Sequence, residues 1–287
     1  IGTIVGLMLI LKIDFETLNK YILERPYDFF NIEPHMLINI ISEKGIFNNS
    51  IFKTFFKPIL HSLDLSIDIT FKELYDYSNI EFNIIVTELN DFKTVKFSHK
   101  NHPNLKVIDA IYMSCSIPII FKPFQYEDKY FFDGGLFCNF PIKFCIEEQN
   151  CNIDEIFGLQ KKSIKNTKKI EINTVFDYFT LILHKLIYGY SKFNLDISGQ
   201  HIYNISGQTM SFDNLSNITS QEHRLKLFNL GIDIANNIVD TSNNIVDTSN
   251  NILDTSNNIL NVSNNIVDIS NINDFLYDLS NIDNVTI

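Results

Sequence analysis

Apolar positions recur at helical spacing in some stretches of the chain and form short unbroken runs in others. After Ile1-Gly2-Thr3-Ile4-Val5-Gly6 the chain runs straight into an apolar helix, Leu7 to Lys12. Two Phe-rich helical patterns follow, Met36 to Ser42 and Ile51 to Leu60. Ile51, Phe55, Phe56, Ile59 and Leu60 form the kind of stripe that faces a core. Thr70 and Glu73 stand in capping-box spacing at the start of a short helix. Phe82 to Thr87 is apolar and β-branched, the pattern of a strand buried on both faces. Leu105 to Cys115 returns to helical period and stops at Ile117-Pro118, where proline removes a donor. Pro141 opens a helix to Glu148. Glu155 to Leu159 and Gln200 to Ser206 predict strands, Val175 to Leu186 and Ser220 to Ala235 helices. This alternation predicts an α/β domain with a mostly parallel central sheet, over residues 1–235.

The pattern then changes. Residues 236–270 are five copies of one Asn-rich heptad, with Ile238, Ile245, Ile252, Ile259 and Ile266 at one position, and 271–287 form a tail. A seven-residue period admits a coiled coil and self-association through it. Asn, Asp, Ser and Thr are poor helix formers and no charge pairing flanks the seam, so the expected state is a weakly structured or helical extension.

A chain of 287 residues with 45% hydrophobic content can bury one sizeable core. A net charge of -11 argues against nucleic acid as a partner and against simple electrostatic capture by anionic membranes, so lipid would have to be met with apolar surface. No run approaches the length of a membrane span. The expected location is cytoplasmic or peripheral at a membrane surface. Cys115, Cys138, Cys145 and Cys151 lack metal-ligand spacing and are expected as free thiols. His99 and His102, in a loop rich in Lys and Asn, are expected to be solvated. Lys161, Lys162, Lys165, Lys168 and Lys169 make the one concentrated positive patch, expected as a solvated connection. Asn, Ile, Lys, Phe and Tyr abound while Ala and Arg occur twice each and Trp not at all. Those are A/T-rich and G/C-rich codons respectively, so genome composition explains the bias.

The chemistry concentrates at Tyr130-Phe131-Phe132-Asp133-Gly134-Gly135, followed by Asn139-Phe140-Pro141. An aromatic run delivers one carboxylate to a turn, where Gly134 and Gly135 are free to take φ > 0. An acid on such a tip, beside apolar surroundings, is placed to orient or activate a nucleophile. Asp-Gly is equally good chemistry for an ordinary hairpin turn.

The flanks discriminate. Ile84-Ile85-Val86-Thr87-Glu88-Leu89-Asn90 precedes Val95-Lys96-Phe97-Ser98. Ala110-Ile111-Tyr112-Met113-Ser114-Cys115-Ser116-Ile117-Pro118-Ile119-Ile120-Phe121-Lys122-Pro123 then leads to Asp133-Gly134-Gly135. This order resembles the patatin-like phospholipase family, in which Thr-x-Leu-Asn, Phe-Ser, A-x-x-x-S-x-S-I-P-x-x-F-x-P and D-G-G follow one another. The resemblance runs from Gly2 to about Ala235. It implies an α/β acyl hydrolase with a Ser–Asp dyad that cleaves lipid acyl esters without metal or cofactor, and it makes Asp133 the dyad acid. The Phe-rich helices could then cap an acyl groove rather than face the core.

The family's nucleophile lies in G-x-S-x-G, a strained strand-to-helix turn. Gly2 and Gly6 match the glycines, and the serine position holds Ile4, which has neither a proton to lose nor a lone pair to attack with. A catalytically dead relative that binds lipid or protein, a one-base change from a serine codon (AGT to ATT), and a shifted register all fit. The family's first strand and oxyanion loop would lie before Ile1, so the domain is expected to be amino-terminally incomplete. Loss of a serine nucleophile costs on the order of a million-fold in kcat in a serine protease, so no turnover is expected from this chain.

Overall fold

The computed structural model describes residues 2–38, 40–163, 178, 181–182, 185, 199, 201–207 and 217–238. Helix α1 (Gly2–Ile10) leads to α2 (Phe15–Glu24), whose first turn is capped by Asp14. Helical residues Pro34–Ile38 (α3) and Ile40–Glu43 (α4) fall where the pattern from Met36 to Ser42 predicts a helix. Strand β1 (Gly45–Phe47) and the long helix α5 (Ser50–Ser62) follow. The core stripe of α5 is Ile51, Phe52, Phe56, Ile59 and Leu60, while Phe55 packs from the margin.

Helix α5 contains Pro58, which has no N–H to give the carbonyl four residues back. That carbonyl, of Thr54, accepts instead from Arg25 Nη2 at 2.7 Å, and Phe55 O accepts from Arg25 Nη1 at 2.7 Å. The chain's other arginine works in the same way. Arg224, on α9 (residues 221–238), is 7% exposed and donates to the carbonyls of Leu23, Arg25, Ile218 and Thr219 at 2.8–2.9 Å. Its guanidinium lies 4.3 Å from the ring centroid of Tyr27. Both arginines thus satisfy stranded backbone oxygens and tie distant segments to the end of α2.

Helix α6 (Phe71–Ser78) begins at the expected capping box, with Thr70 N donating to Glu73 Oε2 at 2.8 Å, and ends on Asn79 in the left-handed region. Strands β2 (Ile84–Glu88) and β3 (Lys93–Phe97) precede α7 (Val107–Cys115). Then come β4 (Ile119–Phe121), β5 (Phe124–Tyr126), β6 (Lys129–Asp133), α8 (Ile142–Gln149), β7 (Gly158–Ser163) and β8 (Ile202–Gly207). Every residue of β2 is buried, and α7 packs over β2 and β6. Pro141 caps α8 from one residue outside it.

The α/β class is as expected, and parallel pairing occurs in β1–β4 and β7–β8. The four-stranded sheet that carries Asp133, in the order β3-β2-β6-β5, is antiparallel throughout. Two of its three pairings follow from their links: residues 89–92 between β2 and β3, and Glu127-Asp128 between β5 and β6, can only reverse the chain, while β2 and β6 meet across the passage through α7. Glu127 and Asp128 have φ of 48° and 61°, the two-residue turn whose twist suits a hairpin.

Glu155 falls in a 3-10 turn before β7, and β7 takes in Lys161 and Lys162, which were expected in a loop. Lys165, Lys168, Lys169, most of Val175 to Leu186 and the heptads from residue 239 onward lie outside the described residues. Among the described residues no helix is long and apolar enough to cross a membrane.

Arg25→Ala should cost about 1–2 kcal/mol in denaturant unfolding, because two carbonyls lose their charged donor. In a Pro58→Ala background, where an N–H returns to Thr54 O, the same change should cost measurably less. Additivity in that double-mutant cycle would contradict the assignment.

Candidate active site

Asp133 is the last residue of β6, opposite Val86 of β2. Its backbone is fixed on both sides: its N–H donates to Ser116 O at 3.1 Å, and its carbonyl accepts from Thr87 Oγ1 at 3.0 Å. The carboxylate bends back so that Oδ1 accepts from Gly135 N–H at 2.7 Å, capping a 3-10 turn over Gly134–Leu136. The expected hairpin tip is therefore a strand end leading into a 3-10 turn. The hairpin lies at the other end of β6, at Glu127-Asp128.

The glycines also act differently from expectation. No glycine among the described residues has positive φ. Gly134 is required by close approach: a Cβ there would run into the carbonyl of Ile85, 2.7 Å from its carbon and 3.1 Å from Val86 N. At Gly135 a Cβ would press on the Asp133 carboxylate at 2.9 Å and on Asn139 Oδ1 at 3.2 Å. The turn needs two residues without side chains because it is wedged against β2 and wrapped round its own acid.

Asp133 opens onto an apolar cavity of about 480 Å³. Leu89, Phe92, Ile119, Phe121, Phe131, Phe132, Leu136 and Phe137 supply most of its wall, and Ser116, Lys44 and Tyr130 add polar atoms. Phe92 and Phe137 meet edge to face at 4.7 Å. Ile119 holds φ of 76°, costly for a β-branched residue and set directly on the cavity wall. Desolvation pushes the Asp133 carboxyl above its ordinary range, against the opposing pull of the Gly135 N–H. An acid so placed holds a proton at higher pH than a surface aspartate and can exchange it with a group seated in the cavity.

The serines of the S-x-S segment are committed elsewhere. Ser114 Oγ donates to Ile85 O at 2.8 Å, joining α7 to β2, and Ser116 Oγ donates to Tyr112 O at 2.6 Å.

Positions 2–10 form a helix without a left-handed residue, so the strained turn expected around Ile4 is absent there. Ile4 packs against the core and does not line the Asp133 cavity. What α1 and Asp133 share is one end of α7: Thr3 Oγ1 lies 3.5 Å from Cys115 Sγ, and Asp133 N bonds to Ser116 O. Gly2 is exposed, and a Cβ on it would meet nothing within 4 Å. Gly6 is buried within α1.

His99 stacks on Tyr75 at 3.8 Å and His102 packs edge-on against Phe97 at 4.6 Å, in place of the expected solvation. Burial lowers both pKa values. The cysteines are free thiols, Cys115 buried and the other three half-buried. Among the described residues no cluster of His, Cys, Asp or Glu could hold a metal ion. Lys44 and Phe92 at the cavity mouth were not foreseen. Asn90-Asp91 marks the turn that presents Phe92, but nothing local says which way the ring points.

The candidate site is thus an antiparallel strand end that places one desolvated carboxylate beside an apolar cavity, backed by a helix, in an α/β protein. The chain belongs to the patatin-like phospholipase family, whose model matches residues 1–146. It is similar to a probable lipid hydrolase of Invertebrate iridescent virus 6, 24% identical over 197 residues that cover 69% of this chain and 61% of the relative. It is also similar to an uncharacterized protein of Acanthamoeba polyphaga mimivirus, 26% identical over 183 residues that cover 62% of this chain and 60% of the relative. The match thus spans about three-fifths of the length of either relative.

The position of Asp133 sets a pH signature. A carboxyl whose pKa in the folded chain lies above the unfolded 3.8 binds more protons folded than unfolded in that interval. Its contribution to stability therefore falls as pH rises from 3.8 through the folded value, then levels off. Asp133→Asn keeps an oxygen for Gly135 N–H and removes the charge. The variant should melt higher than the parent at pH 7, with the gap closing toward pH 4. A gap that grows toward low pH would contradict the assignment.

Proposed function

We propose that the Asp133 cavity is a lipid acyl hydrolase site of the Ser–Asp type, and that the chain as it stands lacks the nucleophile because Ile4 occupies its place. One observation carries the reading: the single carboxylate on the cavity wall is desolvated beside apolar surface large enough for a fatty acyl segment. The family supplies the reaction class, and the iridescent-virus relative is named as a probable lipid hydrolase.

In Ile4→Ser, with position 4 turned out of α1 toward the cavity, the new hydroxyl would attack the ester carbonyl and pass its proton to the Asp133 carboxylate. The alkoxide leaving group would take that proton as the acyl-enzyme forms. Water deprotonated by the same carboxylate would then attack the acyl-enzyme, and that proton would pass to the serine oxygen as the fatty acid leaves. A carboxylate with a raised pKa suits that alternation near neutral pH.

A second reading is a lipid-binding protein that keeps the cavity and has lost the chemistry. The helical backbone at Ile4, and its seat outside the cavity, favour it.

A fluorophosphonate probe, which reacts with activated serines, separates the two. The unaltered chain should stay unlabelled and Ile4→Ser should label, the label disappearing when Asp133→Asn is added. Labelling of the unaltered chain would put the nucleophile elsewhere, with Ser116 on the cavity wall examined first. Silence from both chains, with lipid still bound, would leave binding alone.

A further inference from the structure

The mouth of the cavity is its least economical part. Leu89, Phe92 and Tyr130 are 47%, 56% and 37% exposed, and all three line the cavity from its rim. Phe92 also has φ of 54°, a conformation that Gly or Asn adopts more readily. A large apolar ring is thus held in water at a strained position, at the tip of the β2–β3 connection.

The tip is held firmly. Glu88 is fully buried beneath it, and its Oε1 accepts from Asn90 N at 2.7 Å and from Asp91 N at 3.0 Å. Asn90 Oδ1 accepts from Tyr130 N at 3.1 Å, and Leu89 N donates to Tyr130 O at 2.8 Å. A buried carboxylate and a strand contact therefore present Leu89, Phe92 and Tyr130 as one surface. Cations border it: exposed Lys44 lines the mouth, while Lys93 and Lys129 lie 3.8 and 3.7 Å from Glu88 Oε2 and also pair with Asp91. Glu88 and Asp91 balance Lys93 and Lys129, so the border is lysine–carboxylate pairs together with Lys44. Apolar side chains ringed by lysines match the layering of a phospholipid interface, acyl chains below and phosphates above.

We infer that the β2–β3 tip, with Leu89 and Phe92 beside Tyr130, is the lip by which the protein seats on a phospholipid surface, Lys44, Lys93 and Lys129 lying at headgroup level and the cavity opening between them into the acyl layer. This rests on the lipid-directed reading of the Asp133 site and assigns it a docking surface. Apolar insertion supplies the affinity, so binding to phosphatidylcholine vesicles depends little on salt.

The chain has no tryptophan, so Phe92→Trp gives a single reporter at the tip. Tyr77→Trp, 47% exposed on α6, is the control away from the mouth. On phosphatidylcholine vesicles Phe92→Trp emission should shift to the blue and be quenched by brominated acyl chains, while Tyr77→Trp stays unchanged. Leu89→Asp with Phe92→Asp should weaken vesicle binding by about tenfold or more. If that double variant does not fold, the tryptophan pair decides alone. A monomeric fluorescent fatty acid offered to the unaltered chain tests the cavity separately. If the fatty acid binds but Phe92→Trp is not quenched, or the double variant binds vesicles as the parent does, the lip is wrong and the lipid-site reading stands. If the unaltered chain binds neither fatty acid nor vesicles, both fall.

Discussion

The antiparallel contact between β2 and β6 is the constraint on which the site depends. It brings the backbone of Gly134 against the carbonyl of Ile85 so closely that no side chain fits between them. That approach fixes where β6 ends, and so where the Asp133 carboxyl emerges. Its hydrogen bond to Ser116 O and those it accepts from Thr87 and Gly135 then leave the residue little freedom. A buried carboxylate is costly to desolvate and would swing toward water if it could. Here the backbone prevents it, and the cost appears as a raised pKa facing an apolar space.

The rest of the domain supports that placement with few resources. Ala occurs twice, Trp never, and phenylalanine twenty-five times, so rings fill the space that smaller residues would share elsewhere. Phe52, Phe121 and Tyr112 meet at 5.8 Å between ring centroids, and the Tyr112 hydroxyl reaches the carbonyls of Phe47 and Lys122, fastening α7 to the β1–β4 pair. Both arginines donate to backbone carbonyls, Thr54 O opposite the mid-helix proline among them. Where the composition is so narrow, individual polar residues carry joints between segments far apart in sequence.

Local rules were legible in the sequence. The Thr70–Glu73 cap, the buried run of β2 and the end of α7 before Pro118 each follow from chemistry within a few residues. So was an aromatic strand ending at Asp133, before the paired glycines. The pairing direction of the main sheet was not, because the reversal at Glu127-Asp128 carries no glycine to announce it and the β2–β6 pairing joins strands far apart in sequence. The role of Gly134 was also hidden: the sequence offers dihedral freedom as the reason for a glycine, whereas the reason lies across the sheet at Ile85. Arg25 and Pro58 illustrate the same limit, since the donor that repairs the helix comes from another element.

The central claim is that Asp133 is a desolvated acid on an apolar cavity wall, and its ionisation can be observed directly. Aspartate labelled with carbon-13 at the carboxyl, with Asp133→Asn to assign the resonance, gives a titration of that one group in the folded chain. The midpoint should lie clearly above the ordinary 3.8 and move higher when a fatty acid fills the cavity. A midpoint at or below 3.8, indifferent to the ligand, would mean that the carboxylate is solvated and that the cavity and the acid are not one site.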